Sequence, residues 1–173
     1  MEMPALFLAH GSPMLAIEQS EYANFLKDYG ERLGKPKAIV IFTAHWEAPA
    51  TTISSSSDVY ETIYDFGGFP DELYQVKYPA RGSGIVADLV AERLTAEGLP
   101  AKKDYERGLD HGSWTLLCRM YPDADIPVVQ ASVNPYLPAS RQYTIGNALR
   151  GLGKEGILVI GSGVTVHNLR AVM

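Results

Sequence analysis

The chain predicts an α/β fold, with a mostly parallel central sheet flanked by helices. Short, wholly apolar runs recur along its length, and longer segments with helical spacing of apolar residues lie between them. Strand–helix–strand alternation of this kind builds a parallel sheet with covered faces. At 173 residues, 46% of them apolar, the chain is sized for a single domain over 1–173 with a substantial core.

The elements follow in order. "ALFLA" (5–9) is a buried strand, and 18–33 is a helix carrying Tyr22, Phe25, Leu26, Tyr29 and Leu33 on one face. "AIVIFTA" (38–44) is a second buried strand, and "TTISS" (51–55) is a shorter, more polar one. Segment 56–82 breaks the rhythm. It is too aromatic for a disordered linker and too rich in Gly and Pro for one helix, which makes it an ordered loop over the sheet. Helical spacing resumes over 84–97 with Ile85, Leu89, Val90 and Leu94, and "SWTLLCRMY" (113–121) is a further helix. "IPVVQAS" (126–132) is a strand, 138–152 a helix opening at Pro138 and closing on Gly151, and "ILVIG" (157–161) the last strand. No repeat, low-complexity tract or domain boundary interrupts them.

Composition excludes some classes of partner. Net charge is −5, and the 15 Lys and Arg are scattered, which argues against nucleic acid and anionic membranes. The apolar runs are too short to span a bilayer, and the first residues lack the basic and long apolar regions of a signal peptide. A cytoplasmic location is expected. The single Cys118 can form no internal disulfide and, set among apolar neighbours, reads as a buried structural thiol.

The four histidines carry the chemistry. His10 directly follows the first strand, His45 directly follows the second, and His167 lies shortly beyond the last, in "GSGVTVHN". His111 occupies the polar turn "GLDHGS" before a helix. Ligands of open α/β sheets bind at the carboxyl ends of strands, where diverging loops leave a crevice. A lone histidine at a strand end is most often a hydrogen-bonded structural residue, but four, each flanked by Gly and small polar residues, point to a shared centre.

Neutral imidazoles suit zinc, iron, copper or nickel, and two or three with an open position make a catalytic site. A nucleophilic serine reading rests on Ser12 and Ser113, each two residues after a histidine. "HGS" lacks the strand-to-helix nucleophile elbow, and a helix cap accounts for either serine equally well. "GSGVT" lacks the Lys-Ser/Thr of a phosphate loop and the third glycine of a dinucleotide fingerprint.

Five segments, "ALFLAHGSPM", "AIVIFTAHWE", "YDFGGFPDELYQVKYPARGS", "GLDHGSWTLLCRMYPDADIPVVQASV" and "GSGVTVHNLR", resemble the class III extradiol ring-cleavage dioxygenase superfamily, in its DOPA-dioxygenase-like branch. The resemblance implies the fold of the extradiol dioxygenase catalytic subunit and an Fe(II) site, sometimes holding zinc, that opens a catechol ring with O₂. His10 and His45 match metal ligands, and His167 matches an acid/base histidine that can also coordinate zinc. His111 matches a pocket histidine that orients substrate or relays a proton. Family members continue past residue 173 and carry a third protein ligand there, so the resemblance also implies a domain truncated at its C-terminus. Glu47 and Asp110, close to ligand segments, read as supports of the ligands.

Neighbouring residues receive provisional roles. Trp46 and Trp114 offer an aromatic wall for a flat ring, with core packing as the alternative, and Asn168 and Ser162 offer hydrogen bonds near the metal. Asp65 and "YDFGGFP" form either a lid or a loop that shields a sheet edge. The expected activity is extradiol cleavage of a catechol such as DOPA, with O₂ as co-substrate. A zinc hydrolase on the same histidines and a non-catalytic binding relative remain alternatives. Association into homo-oligomers is left open.

Overall fold

The computed structural model describes residues 1–168. Along the chain run β1 (Ala5–Leu8), α1 (Glu21–Leu33), β2 (Ala38–Glu47), β3 (Thr51–Ser54), α2 (Gly84–Ala96), β4 (Ala101–Asp104), α3 (His111–Met120), β5 (Val128–Val133), α4 (Ala139–Ala148) and β6 (Ile157–Ser162). The strands form one sheet in the order β1-β6-β2-β5-β3-β4. Every pairing is parallel except β3 with β5.

β2 is the central strand, paired with β5 on one side and β6 on the other. Ile39 and Ile41 face one helix layer, packing with Leu26 of α1 and Trp114 and Leu117 of α3. Ala38 and Val40 face the other, with Val90 and Leu94 of α2 and Leu149 just past α4. The unbroken apolar run is what burial on both faces of a parallel strand demands, because alternate side chains point to opposite faces.

The helices begin where polar side chains replace the missing backbone partners. Ser20 Oγ accepts the amide of Ala23 at α1, and Ser83 Oγ accepts that of Val86 at α2. α1 therefore starts three residues later than its apolar spacing suggested. α4 is shorter than the expected 138–152, since Gly151 takes a left-handed turn (φ 94°) into a short 3-10 segment.

β4 was not expected at all. Its four residues, AKKD, lie at the sheet edge with Lys102 and Lys103 exposed, so it lacks the apolar run of a buried strand and carries the charges that guard an edge. Segment 56–82 is an ordered loop over the sheet. It buries Tyr60, Leu73 and Tyr78, and the Tyr78 hydroxyl donates to the carbonyl of Tyr121 at 2.9 Å. Among the described residues no helix is long and apolar enough to cross a membrane.

Candidate metal centre

Strands β1, β6 and β2 lie side by side and parallel, so their carboxyl ends open at one edge of the sheet. His10 stands just past β1, where the Tyr22 hydroxyl of α1 donates to the carbonyl of Ala9 at 2.8 Å and fixes the preceding backbone. His45 lies within β2, not after it, because pairing with β5 resumes at Glu47 beyond a register shift. His111 is the first residue of α3, not part of a preceding turn. The three rings converge, with one ring nitrogen from each within 4.8 Å of the others.

Hydrogen bonds decide which nitrogens carry protons. The Ser162 hydroxyl, at the end of β6, donates its only hydrogen to the carbonyl of Gly112. At 2.9 Å from His10 Nδ1 it can then only accept, so Nδ1 carries the proton and Nε2 is a bare lone pair. Asp65 sets the other two rings. Its Oδ1 accepts from His111 Nδ1 at 2.9 Å, and its Oδ2 faces His45 Nδ1 at 3.4 Å. His111 therefore also presents a bare Nε2, while at His45 the Asp65 charge favours the same tautomer without a hydrogen bond.

His10 Nε2 and His45 Nε2 are 3.0 Å apart. With His10 Nε2 bare, this contact is bridged either by a proton on His45 Nε2 or by a cation beside both nitrogens. Nitrogens bound about 2.1 Å from one ion, at right angles to each other, are separated by about 3.0 Å. The donor set thus fits a divalent metal of the kind imidazole prefers. Burial lowers the His10 pKa to about 4, helped by neighbouring His45 and His111, and burial likewise lowers that of His45 against the pull of Asp65. Both rings are neutral at pH 7, as metal binding requires.

Two carboxylates support this arrangement. Burial works to raise the Asp65 pKa, but hydrogen bonds from the His111 ring and backbone amide outweigh it and hold the group at about 2. The amide bond, 3.0 Å to Oδ1, places this charge at the N-terminus of α3, where the helix dipole favours an anion. Asp110, immediately before α3, makes no side-chain cap. It is fully buried and accepts from Thr43 at 2.6 Å and Arg107 at 3.0 Å, tying α3 to β2.

A cavity of about 600 Å³ opens above the histidines. His10, His45 and His111 form its floor, Phe66 and Phe69 stand to one side, and the rest of its lining includes Ser12, Val164, Val166, His167 and Asn168. His167 and Asn168 thus share the cavity but are exposed, and it is His111, not His167, that joins His10 and His45 among the described residues. Neither tryptophan lines it. Trp114 is fully buried, with Nε1 donating to the carbonyl of Ile63, and stands behind Phe66 with ring centroids 6.1 Å apart. Trp46 lies under the Arg107 guanidinium, 4.8 Å from its ring centroid.

The remaining candidates have structural partners. Ser12 Oγ accepts the amide of Met14 and caps a 3-10 turn, while Ser113 is buried and donates to Gln130 Oε1 at 2.7 Å. Glu47 is exposed, and Cys118 is half-buried and unpaired, its thiol pushed up to about 12 by burial. Sequence reasoning missed the joint hold of Asp65 on two histidines. The available signal was a single carboxylate inside the aromatic stretch "YDFGGFP".

The family described as the catalytic LigB subunit of aromatic ring-opening dioxygenase matches residues 4–172. The chain is 46% identical over 171 residues to a 4,5-DOPA dioxygenase extradiol of Escherichia coli (strain K12), a match covering 98% of this chain and 62% of that protein. It is 45% identical over 165 residues to the protein of the same name from Beta vulgaris, covering 93% and 61%. The crystal structure of an uncharacterized Escherichia coli K12 protein superposes with a TM-score of 0.79 at 41% identity, over 97% of this chain and 62% of that one. The chain spans about three fifths of the length of these relatives.

Proposed function

Because the chain belongs to the family of the catalytic LigB subunit of aromatic ring-opening dioxygenases, we propose that it serves extradiol cleavage of a catechol such as DOPA, with Fe(II) and O₂. The observation that carries this reading is the convergence of three imidazoles, each offering a ring nitrogen, on the floor of a cavity flanked by Phe66 and Phe69. The names of the relatives support DOPA as the first substrate to test.

In this reading His10 and His45, fixed by β1 and β2, hold the metal. When bound, the metal supplies Lewis acidity that eases loss of the catechol protons and brings the ring and O₂ together. His111 Nε2 accepts a hydrogen bond from a catechol hydroxyl and orients the ring. His167, at the exposed side of the cavity, accepts a proton from the substrate. Phe66 and Phe69 take the aromatic-wall role expected of Trp46 and Trp114, and Asn168 offers a polar contact near His167. Flat aromatic walls exclude water and suit a planar ring, while polar contacts stay confined to one side.

The test is anaerobic reconstitution with Fe(II), followed by oxygen-electrode and absorbance assays with a panel of catechols including DOPA. Stoichiometric O₂ uptake with a yellow product is expected, lost in His10→Ala and His45→Ala. Failure of every catechol, with tight zinc binding at the same histidines, would replace this reading with a zinc hydrolase.

A further inference from the structure

Asp65 reaches two rings at once. Its Oδ1 accepts from both the backbone amide (3.0 Å) and Nδ1 (2.9 Å) of His111, while Oδ2 faces His45 Nδ1 at 3.4 Å. The two imidazoles lie close, with centroids 3.9 Å apart and planes tilted by 51°. The next residue, Phe66, packs edge-on against His111 and lines the cavity, so one loop turn carries both the carboxylate and the aromatic wall.

We propose that Asp65 is a positioning residue: Oδ1 fixes the Nδ1–H tautomer of His111, and the charge on Oδ2, beside His45 Nδ1, favours the same tautomer of His45 when a cation takes up its Nε2 lone pair. For the roles of the two rings this rests on the function proposed above. The argument is one of hydrogen-bond capacity: an ionised carboxylate only accepts, on both oxygens, so it can face donors on two sides. An asparagine of the same shape cannot. Its oxygen stays with the two donors of His111, and its NH₂ then meets His45 Nδ1, which must give up its proton to accept. The proton moves to His45 Nε2 and blocks the nitrogen that would bind metal.

Long-range ¹⁵N–¹H NMR of the metal-free and the Zn(II)-bound protein reads the tautomers directly. In the unsubstituted protein Nδ1–H is expected on His111 without metal and on both His45 and His111 with Zn(II) bound, and Nε2–H on His111 in either state overturns the proposal without any variant. In Asp65→Asn, the amide NH₂ is expected to hold His45 in the Nε2–H form, which opposes metal binding, while His10 keeps Nδ1–H. Affinity for Fe(II), and for Zn(II) as a diamagnetic probe, should fall 10–100-fold, the usual cost of losing a residue that orients a metal-binding histidine. Asp65→Glu, which keeps an acceptor-only group, should recover part of that affinity. An Asp65→Asn protein that loses thermal stability but keeps the His45 tautomer and its metal affinity would reduce Asp65 to a helix cap and overturn the proposal. None of these readouts involves a catechol, so absence of O₂ uptake by the unsubstituted protein would sink the dioxygenase reading alone.

Discussion

Gly112 marks how tightly the histidine floor is built. A Cβ there would stand 2.5 Å from Thr43 Oγ1, 3.0 Å from His45 Cδ2 and 3.2 Å from Asp110 Oδ1. Two effects oppose each other in Gly112→Ala. Alanine favours the helix by about 1 kcal/mol, whereas overpacking a close-fitted site costs about 1–3 kcal/mol. Steric cost wins here, because Thr43 and Asp110 are already fixed by their mutual hydrogen bond. Gly112→Ala is therefore expected to destabilise the protein by up to about 2 kcal/mol in urea unfolding, the net of these effects. It should also weaken Fe(II) binding in a metal titration, since the displaced group includes the His45 ring.

A similar contact lies between helices. Gly30 of α1 sits against α3, and a Cβ on it would approach the carbonyl oxygen of Met120 to 2.3 Å. Backbone cannot rotate away as a side chain can. Gly30→Ala should thus push α1 from α3 and cost about 3 kcal/mol, the upper part of the overpacking range, read as a lower urea midpoint. Metal affinity should be unchanged, because the contact lies at the far end of α3 from His111. The legibility of the sequence also differs from element to element. Strands β2, β5 and β6 were readable because burial on both faces demands an apolar run, and the same logic placed three histidines at the carboxyl ends of strands. β1 shares the apolar run, but it is the edge strand and not the buried one expected, with Ala5 and Phe7 exposed. β4 was not readable, since its pairing with β3 supplies what its side chains do not. The start of α3 was misplaced because its amide is capped by Asp65, 46 positions away, and no local pattern announces a cap from another loop. For the same reason Trp114 was a candidate wall, although the structure buries it behind Phe66, which takes that place.

Acid should act on the protein as a unit. The His10 pKa is lowered from 6.5 to about 4, so unfolding takes up a proton between those values, and stability falls as pH drops through that window. The loss amounts to about 3 kcal/mol at most. Asp65, lowered from 3.8 to about 2, adds a second loss as pH falls from 3.8 towards 2. Metal-free protein unfolded in urea at a series of pH values should show a midpoint that declines below pH 6.5. His10→Ala should flatten the upper part of the decline.

The order of the sheet also has a consequence for synthesis. Among the described residues β1 pairs with β6 alone, and β6 is the strand that separates it from β2. His10 and His45 emerge early from a ribosome, yet the scaffold that sets their spacing is completed by residues 157–162, and Ser162, which fixes the His10 tautomer, is the last of these. Contacts so distant along the chain form slowly, because a long loop must close before they are made. A nascent chain halted before β6 would expose both imidazoles without the geometry to grip an ion. On the function proposed above, metal capture thus waits until β6 has paired between β1 and β2.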